Sequence, residues 1–373
     1  MDYIIKTIYR CNLSCIYCFE QSHNRLNQSM SLDNATQFVQ KVYEYYIHNN
    51  PEEILAFHWH GGEPMLLDAR FFEEIIKFQR RVLGTRIRWF NSLQSNLTLL
   101  NDDFIELFKE YKSQISLGIS FDFFGSDRVD KNNKSINARV SKNIKRLEAA
   151  GIQTNFLTMI TKGNVAHLDK IYDLLRSQNI SIRFNQIFGA PKQRAFNRPE
   201  SVRLRNTQYS KALQQFTYRW LHDKDAQFMI DNAFHVIKKI IDPDATRMCW
   251  YEKNCFDNHM MIFPDGTVFP CDSLHFKDFS YGNIFHDSYE KILTSKPRKR
   301  LLKDHKKAPK ECQGCKFLNY CNGGCPMRSI FTMAKTKARL GKDPLCKMHY
   351  DMFEMIGQHL VETGKIDPDW ADS

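Results

Sequence analysis

Three cysteines fall close together near the start of the chain, Cys11, Cys15 and Cys18 in the run CNLSCIYC, and no fourth follows until Cys249. A loop that gathers three thiols and lacks a fourth can hold three irons of a [4Fe-4S] cluster and leave the last iron open to another ligand. The other cysteines, eight in number, lie between Cys249 and Cys346 and suffice for two fully ligated clusters. The amino terminus (MDYIIKTIYR) has neither the apolar core of a signal peptide nor a twin-arginine motif, so a cytoplasmic location is expected. Thiols stay reduced there, and an odd total of 11 cysteines speaks for metal ligation over disulfides.

A chain of 373 residues with 42% apolar and 25% charged side chains can bury a large core, and one big domain with a smaller appended one is expected. No run of about 18 apolar residues is present to span a membrane. The net charge of +11 is densest at Lys296 to Lys310. No base-stacking module or recognition-helix pattern accompanies it, so nucleic acid is not the expected partner. A solvated surface is the default reading, and a face suited to an acidic peptide is the alternative.

From residue 3 to about residue 190, β-branched runs alternate with amphipathic stretches. Strands are predicted at Ile4–Ile8, Ile54–Trp59, Ile87–Phe90, Ile115–Phe121, Thr154–Ile160 and Ile182–Ile187, and helices at Asp33–Ile47, Ala69–Leu83, Asp102–Tyr111, Asn137–Ala150 and Val165–Ser177. Such alternation predicts an α/β fold of parallel strands joined by right-handed crossovers, an open partial (β/α)6 barrel of TIM type with its chemistry at the carboxyl ends of the strands. A loop with Gly189, Pro191 and Pro199 ends the pattern. Beyond it, helices are predicted at Thr207–His222, Asn232–Ile241 and Lys347–Glu362, with a hairpin turning at Pro264-Asp265-Gly266. The expected organisation is a barrel over 1–200, a helical linker over 201–235, a small cysteine-rich domain with a β-hairpin and helices over 236–350, and a terminal helix and tail over 351–373.

The first cysteine run, with Tyr17 just before its last cysteine, resembles the CxxxCxφC signature of the radical S-adenosylmethionine (radical SAM) superfamily. In that family the three cysteines ligate a catalytic [4Fe-4S] cluster and the aromatic lies near the adenine of S-adenosylmethionine. HGGEP (His60 to Pro64) resembles the family's GGEP motif, which implies that Gly61, Gly62 and Glu63 contact the cofactor's amino group. The stretches QSN and SFDFFGSDR resemble the places where relatives carry further contacts, which makes Asn96, Ser120, Asp122 and Arg128 candidates, the last for the methionine carboxylate. A zinc site lacking a ligand, or three buried thiols, is the plainer alternative for the cysteines. Turn chemistry is the plainer alternative for the glycines, and surface polarity for Asp122 and Arg128.

The later cysteines, from Cys255 through Gly266 and Cys271 to CxxCxxxxxCxxxC and Cys346, resemble the SPASM extension, and Cys249 stands where anaerobic sulfatase-maturing enzymes carry an added cysteine. The resemblance implies one auxiliary cluster on Cys249, Cys255, Cys271 and Cys325 and another on Cys312, Cys315, Cys321 and Cys346, three [4Fe-4S] clusters in all. Four thiolates also suit zinc, the plainer alternative. Asp272 stands where those enzymes have the base that takes a proton as the substrate radical is oxidised; an Asp capping the hairpin end is the alternative.

Enzymes with this extension modify peptides or proteins. His60 departs from an expected Gln, QSNL from QTNG, and SFDFFG from SxDGP, all on the substrate side. An oxidoreductase that crosslinks side chains of a ribosomally made peptide is therefore expected ahead of a sulfatase maturase making formylglycine, with a zinc-stabilised adaptor as the non-enzymatic alternative. A precursor peptide or protein would be the substrate and a reduced flavodoxin or ferredoxin the electron donor. With no recognition domain expected ahead of Tyr3, leader binding falls to the barrel, the cysteine-rich domain or a separate leader-recognition protein.

Overall fold

Asp2 and Lys6 stand on one side of the first strand while Tyr3, Ile5 and Thr7 stand on the other, as the period of two requires. In the computed structural model, which describes residues 1–18, 20, 27–187, 199–244, 248–253, 255–272, 274–332 and 341–371, that alternation separates a helix-covered apolar face from a polar one. Tyr3 is fully buried and meets Phe38 edge-on at 5.2 Å between ring centroids. The opposite face carries the charged residues that matter for the site.

The chain divides into two compact units. The first comprises Met1–Phe121, Arg128–Thr154 and Phe256–Lys303. It contains β1 (Asp2–Ile8), α1 (Leu32–Asn49), β2 (Ile54–Gly61), α2 (Ala69–Val82), β3 (Arg88–Ser95), α3 (Asp102–Glu110), β4 (Ile115–Ser120) and α4 (Asn137–Ala149). The predicted Ser31 cap is present, its hydroxyl accepting from the Asn34 amide. The order β4-β3-β2-β1 is that of parallel strands linked by crossover helices, with Tyr3 facing Phe57 and Lys6 facing His60 across β1 and β2. β3 runs to Ser95, further than the strand predicted to end at Phe90, because Leu93 and Ser95 continue its buried side.

The hairpin pairs with this same sheet. Its first arm (His259–Ile262) lies parallel to β1, in register from Asp2 with His259 to Ile5 with Ile262, and its second (Thr267–Phe269) turns back antiparallel. Met260, Met261 and Ile262 are all buried, and a strand apolar on both sides is most stable inside a sheet. The basic run forms a helix over Lys296–His305, where Arg298 is buried and paired with Asp257.

The second unit comprises Asp122–Asp127, Asn155–Cys255 and Asp304–Ser373. The strands Thr154–Met159 and Ile182–Asn185 pair in parallel, and Tyr172, Phe184, Phe216 and Phe228 form an aromatic core beside them. Its helices include Asn206–Leu221, Asp231–Ile241, Pro326–Thr332 and Cys346–Glu362. The expected loop through Gly189 and Pro191 lies outside the described residues. Among the described residues, no helix is long and apolar enough to cross a membrane.

Candidate functional site

The three-cysteine loop leaves β1 at its carboxyl end and is held there by backbone contacts that only glycine permits. The amides of Gly62 and Glu63 donate to the carbonyls of Ile8 and Arg10 at 2.8 and 2.9 Å. A Cβ on Gly61, whose φ is +139°, would lie 2.6 Å from the Ile8 carbonyl oxygen, and one on Gly62 would overlap the Arg10 carbonyl. The two glycines of HGGEP thus let the end of β2 lie against the chain entering the loop.

Glu63 locks this arrangement. Its carboxylate is 1% exposed and accepts from the Ser95 hydroxyl at 2.7 Å, the Asn96 amide at 2.8 Å and the Met65 amide at 3.0 Å. Burial pushes its pKa up, while those donors and the Arg128 charge pull it back. Glu63 therefore ties the GGEP turn to the end of β3. Ser95, which the sequence did not single out, is one of its partners.

Asn96 faces the cysteines. Its side-chain amide donates to the Cys11 sulfur at 3.7 Å and to Asn12 Oδ1 at 3.0 Å, and the Leu13 backbone amide donates to the same sulfur at 3.4 Å. The Arg128 guanidinium lies 5.5 Å from the Tyr17 ring centroid. Ser120 accepts from Gln94 at 2.8 Å. Asp122, buried in the second unit, accepts the Met159 amide at 2.9 Å. Burial raises the pKa of Cys11 to about 12 and that of Cys18 further, and Cys15 adds to both shifts. The three thiols therefore lie within electrostatic reach of one another.

A second polar group occupies the unit, and the sequence pointed to Asp272 and His60 but not to Lys6 or Glu20. Lys6 is fully buried; its ammonium pairs with Glu20, stands 3.3 Å from Asp272 and lies 4.3 Å from the Phe263 ring centroid. Burial would lower the Lys6 pKa, but the two carboxylates raise it, so the side chain is charged. His60 sits beside Lys6 across the strand pair. Its Nδ1 is buried with no hydrogen-bond partner among the described residues, and burial lowers its pKa, so the imidazole is neutral. The signal for Lys6 was a lone cation inside an apolar strand, DYIIKTI.

Two further groups of thiols lie in the second unit. Cys312, Cys315, Cys321 and Cys346 lie within electrostatic reach of one another, and burial is the first cause of the raised pKa values of Cys312, Cys321 and Cys346, about 12 for Cys321. Burial also raises Cys249 to about 12, and the Cys325 thiol adds to that shift. Cys255 lies 4.0 Å from the imidazole of His305, whose pKa burial lowers to about 4. Cys271 follows the hairpin in the first unit. Among the described residues, no three His, Cys, Asp or Glu side chains form a group able to hold a single metal ion. Thiols within electrostatic reach of one another can share the ligation of a multi-iron cluster.

Residues 5–175 match the Radical SAM superfamily, and residues 249–316 match the family described as an iron-sulfur cluster-binding domain, SPASM. The chain is 28% identical over 328 residues to a cysteine-type anaerobic sulfatase-maturating enzyme of Clostridium novyi, a match covering 84% of each protein. It is 25% identical over 362 residues to the antilisterial bacteriocin subtilosin biosynthesis protein AlbA of Bacillus subtilis, covering 86% of this chain and 66% of AlbA. The solved structure of native anSMEcpe with bound AdoMet superposes with a TM-score of 0.82 at 22% identity, covering 97% of this chain and 98% of that one. The likeness establishes a shared fold, a partial barrel followed by the cysteine-rich domain.

Proposed function

This chain belongs to the radical SAM superfamily and carries a SPASM domain, and on that footing we propose that it is a maturase that oxidises a cysteine or serine side chain of a peptidyl substrate by two electrons. One observation carries the reading: Asp272, at the end of the hairpin, reaches Lys6, whose other carboxylate partner is Glu20, two residues beyond Cys18. A carboxylate able to take a proton thereby adjoins the three-cysteine loop.

In this reading Cys11, Cys15 and Cys18 hold a [4Fe-4S] cluster with an open iron, and the two groups of later cysteines hold two closed ones. A cluster held by these three cysteines, with S-adenosylmethionine, would supply the abstraction of a hydrogen atom from the substrate. The protein's own residues do the rest. The backbone of Gly61 and Gly62 approaches the cofactor's amino group, while Glu63, engaged by three donors, fixes the turn. Arg128 offers its charge to the methionine carboxylate and Tyr17 its ring to the adenine, with Asn96, Ser120 and Asp122 as polar contacts. Asp272 accepts the proton that leaves the substrate radical as its electron departs. A reduced flavodoxin or ferredoxin is the fitting electron donor.

A second reading, crosslinking of side chains in a ribosomally made peptide, is favoured by His60. Its neutral imidazole presents a buried, unpartnered Nδ1 where sulfatase maturases are expected to carry Gln. Likeness to the subtilosin biosynthesis protein agrees with it.

The deciding experiment is anaerobic incubation of the reconstituted protein with S-adenosylmethionine, a reductant and two peptide sets, one bearing Cys or Ser and one of precursor peptides encoded beside this gene. Mass spectrometry should find 5′-deoxyadenosine and a peptide lighter by two hydrogens or, where a thioaldehyde from Cys has been hydrolysed with release of hydrogen sulfide, lighter by two hydrogens and with sulfur replaced by oxygen. Fragmentation then separates an aldehyde or thioaldehyde at one residue from a link between two. Absence of 5′-deoxyadenosine with every peptide overturns both readings.

A further inference from the structure

The loop after β4, SFDFFGSDR, holds two adjacent phenylalanines that the fold treats in opposite ways. Phe123 is 5% exposed, and its ring packs on that of Phe156 at 5.4 Å between centroids. Phe124 is 49% exposed. Its backbone stands in the left-handed region, with φ at +56°. That conformation is costly for a bulky residue, because the Cβ crowds the following carbonyl oxygen. Four other non-glycine residues among the described ones have a positive φ. Three are Asn133, Asn179 and Asn322, of a type that tolerates the region, and the fourth, Leu97, is fully buried, so its packing offsets the strain. Phe124 alone joins the strained backbone to a large apolar side chain left in solvent. A proline, which SxDGP has at this place, could not take such a φ, since its ring holds the angle near about −65°. The loop therefore follows a path of this chain's own.

Hydrogen bonds on both sides hold the exposed ring in place. The Asp122 carboxylate accepts the Met159 amide at 2.9 Å, and the Asp122 carbonyl accepts the Gly125 amide at 3.2 Å, closing the turn around the two phenylalanines. The segment after Met159 is tied as firmly. Buried Asn164 accepts the Thr161 amide at 2.8 Å and donates to the Met159 carbonyl at 2.9 Å through its side chain, while its own carbonyl accepts the His167 amide at 2.9 Å. This turn sets the His167 ring 5.7 Å from the Phe124 ring, tilted by 45°. All of these residues belong to the second unit.

Aromatic rings favour offset or edge-to-face neighbours at centroid separations of about 4.5–7 Å, so a half-exposed ring with one tilted neighbour can take a second. In the turn that carries His167, Val165 is half-buried and Ala166 exposed. Lys162 is the permanent charge of that turn, and a cation there disfavours a lysine or arginine guest. In sequence Phe124 lies between Asp122 and Arg128, both assigned above to S-adenosylmethionine, so a side chain held on its ring belongs to the same loop as the cofactor's contacts.

We propose that Phe124 is a specificity-determining residue, a stacking platform with His167 as its fixed second ring, that receives an aromatic side chain of the peptide substrate. The inference rests on the proposed function in taking the substrate to be a peptide, and it applies to oxidation of one residue and to crosslinking alike. The exposed ring is covered only when the guest arrives. Binding energy is thereby gained from peptides that carry an aromatic residue beside the modified one and not from those that lack it.

The test is a double-mutant cycle on the reconstituted full chain, with the Cys- or Ser-bearing peptides and the precursor peptides named above, each carrying Phe, Leu, Lys or Ala at successive flanking positions. Turnover gives kcat/KM, and titration calorimetry gives affinity independently. At one position Phe should exceed Ala by about tenfold in the parent, with Leu between them, and the ratio should fall to within about twofold in Phe124→Ala while Phe124→Tyr retains it. Phe124→Gly, which suits the left-handed backbone, should lose the ratio in the same way yet melt at a temperature no lower than the parent. Selectivity lost without loss of stability is a result that a purely structural ring would not give. A parent that favours Phe at no flanking position, that takes Leu or Lys as well as Phe, or whose Phe-to-Ala ratio survives in Phe124→Ala overturns the proposal. Absence of 5′-deoxyadenosine with every peptide overturns the proposed function, and the affinities then decide this inference alone.

Discussion

The ammonium of Lys6 stands 3.3 Å from the Asp272 carboxylate, joining a residue of the first strand to one that follows a hairpin more than two-thirds of the way along the chain. The contact exists because that hairpin's first arm pairs in parallel with β1. It places the Asp272 carboxylate beside Lys6, a side chain on the same side of β1 as Asp2.

Replacing Asp272 by Asn keeps the shape of that contact and removes the proton acceptor. Product formation is expected to fall by at least ~10²-fold, the usual worth of a positioned base, while cofactor cleavage and iron content stay near wild type. Quantifying 5′-deoxyadenosine and product in the same reaction separates the two effects. Turnover within a few fold of wild type would reduce Asp272 to a hairpin cap.

Lys6→Met removes the shared cation and leaves the Glu20 and Asp272 carboxylates facing each other in a buried setting. Breaking one side of a buried ion pair costs about 3–5 kcal/mol, so chemical denaturation of the cluster-free protein should show a loss of that order. A loss below about 1 kcal/mol would mean that water enters and screens the group.

Glu63→Ala strands three donors, the Ser95 hydroxyl and the amides of Met65 and Asn96. A loss of about 3 kcal/mol in stability is expected, together with weaker S-adenosylmethionine binding, because the turn carrying Gly61 and Gly62 loses its anchor. Equilibrium denaturation and a binding titration check the two parts separately.

Gly62→Ala places a methyl group against the Arg10 carbonyl. Displacement of the three-cysteine loop should leave the later cysteines untouched, so reconstituted protein should lack about four irons per chain relative to wild type. Iron analysis with electron paramagnetic resonance reads this directly, and a full iron complement would show that the loop adapts.

At the other end of β1, Asp2 lies 3.4 Å from His58 and 3.6 Å from His259. Burial raises its pKa, but the hydrogen bond with His58 and the charges of both histidines bring the net value below 3.8. A carboxyl with a depressed folded pKa contributes stability above its unfolded value, and that contribution is lost as pH falls through the folded one. The stability difference between wild type and Asp2→Asn should therefore be largest at mildly acidic pH, where Asp2 is ionised and the histidines are protonated, and shrink as the pH drops below 3.8. A difference that stays constant across that range would show that Asp2 acts by shape alone.

Much of this was open to reading in one dimension. The strand and helix periods located β1, β2, α1 and α2 to within a few residues, and the spacing of Cys11, Cys15 and Cys18 defined a loop chemistry that survives any detail of packing. The run HGGEP marked the turn at 61 and 62, and the fold supplied its approach to the Ile8 and Arg10 carbonyls. These features are local, and local sequence fixes them through steric and periodic rules.

What only the tertiary structure decided is which distant residues share an environment. No pattern in the sequence ties Lys6 to Asp272, Glu63 to Ser95, or Arg328 to Asp343 and His349. Each pair is brought together by strand register or helix placement, and each charge is sustained only because its partner sits in the same buried volume. A sequence lists the charged groups, but their worth depends on desolvation and on separations of a few ångströms, which the folded chain alone sets.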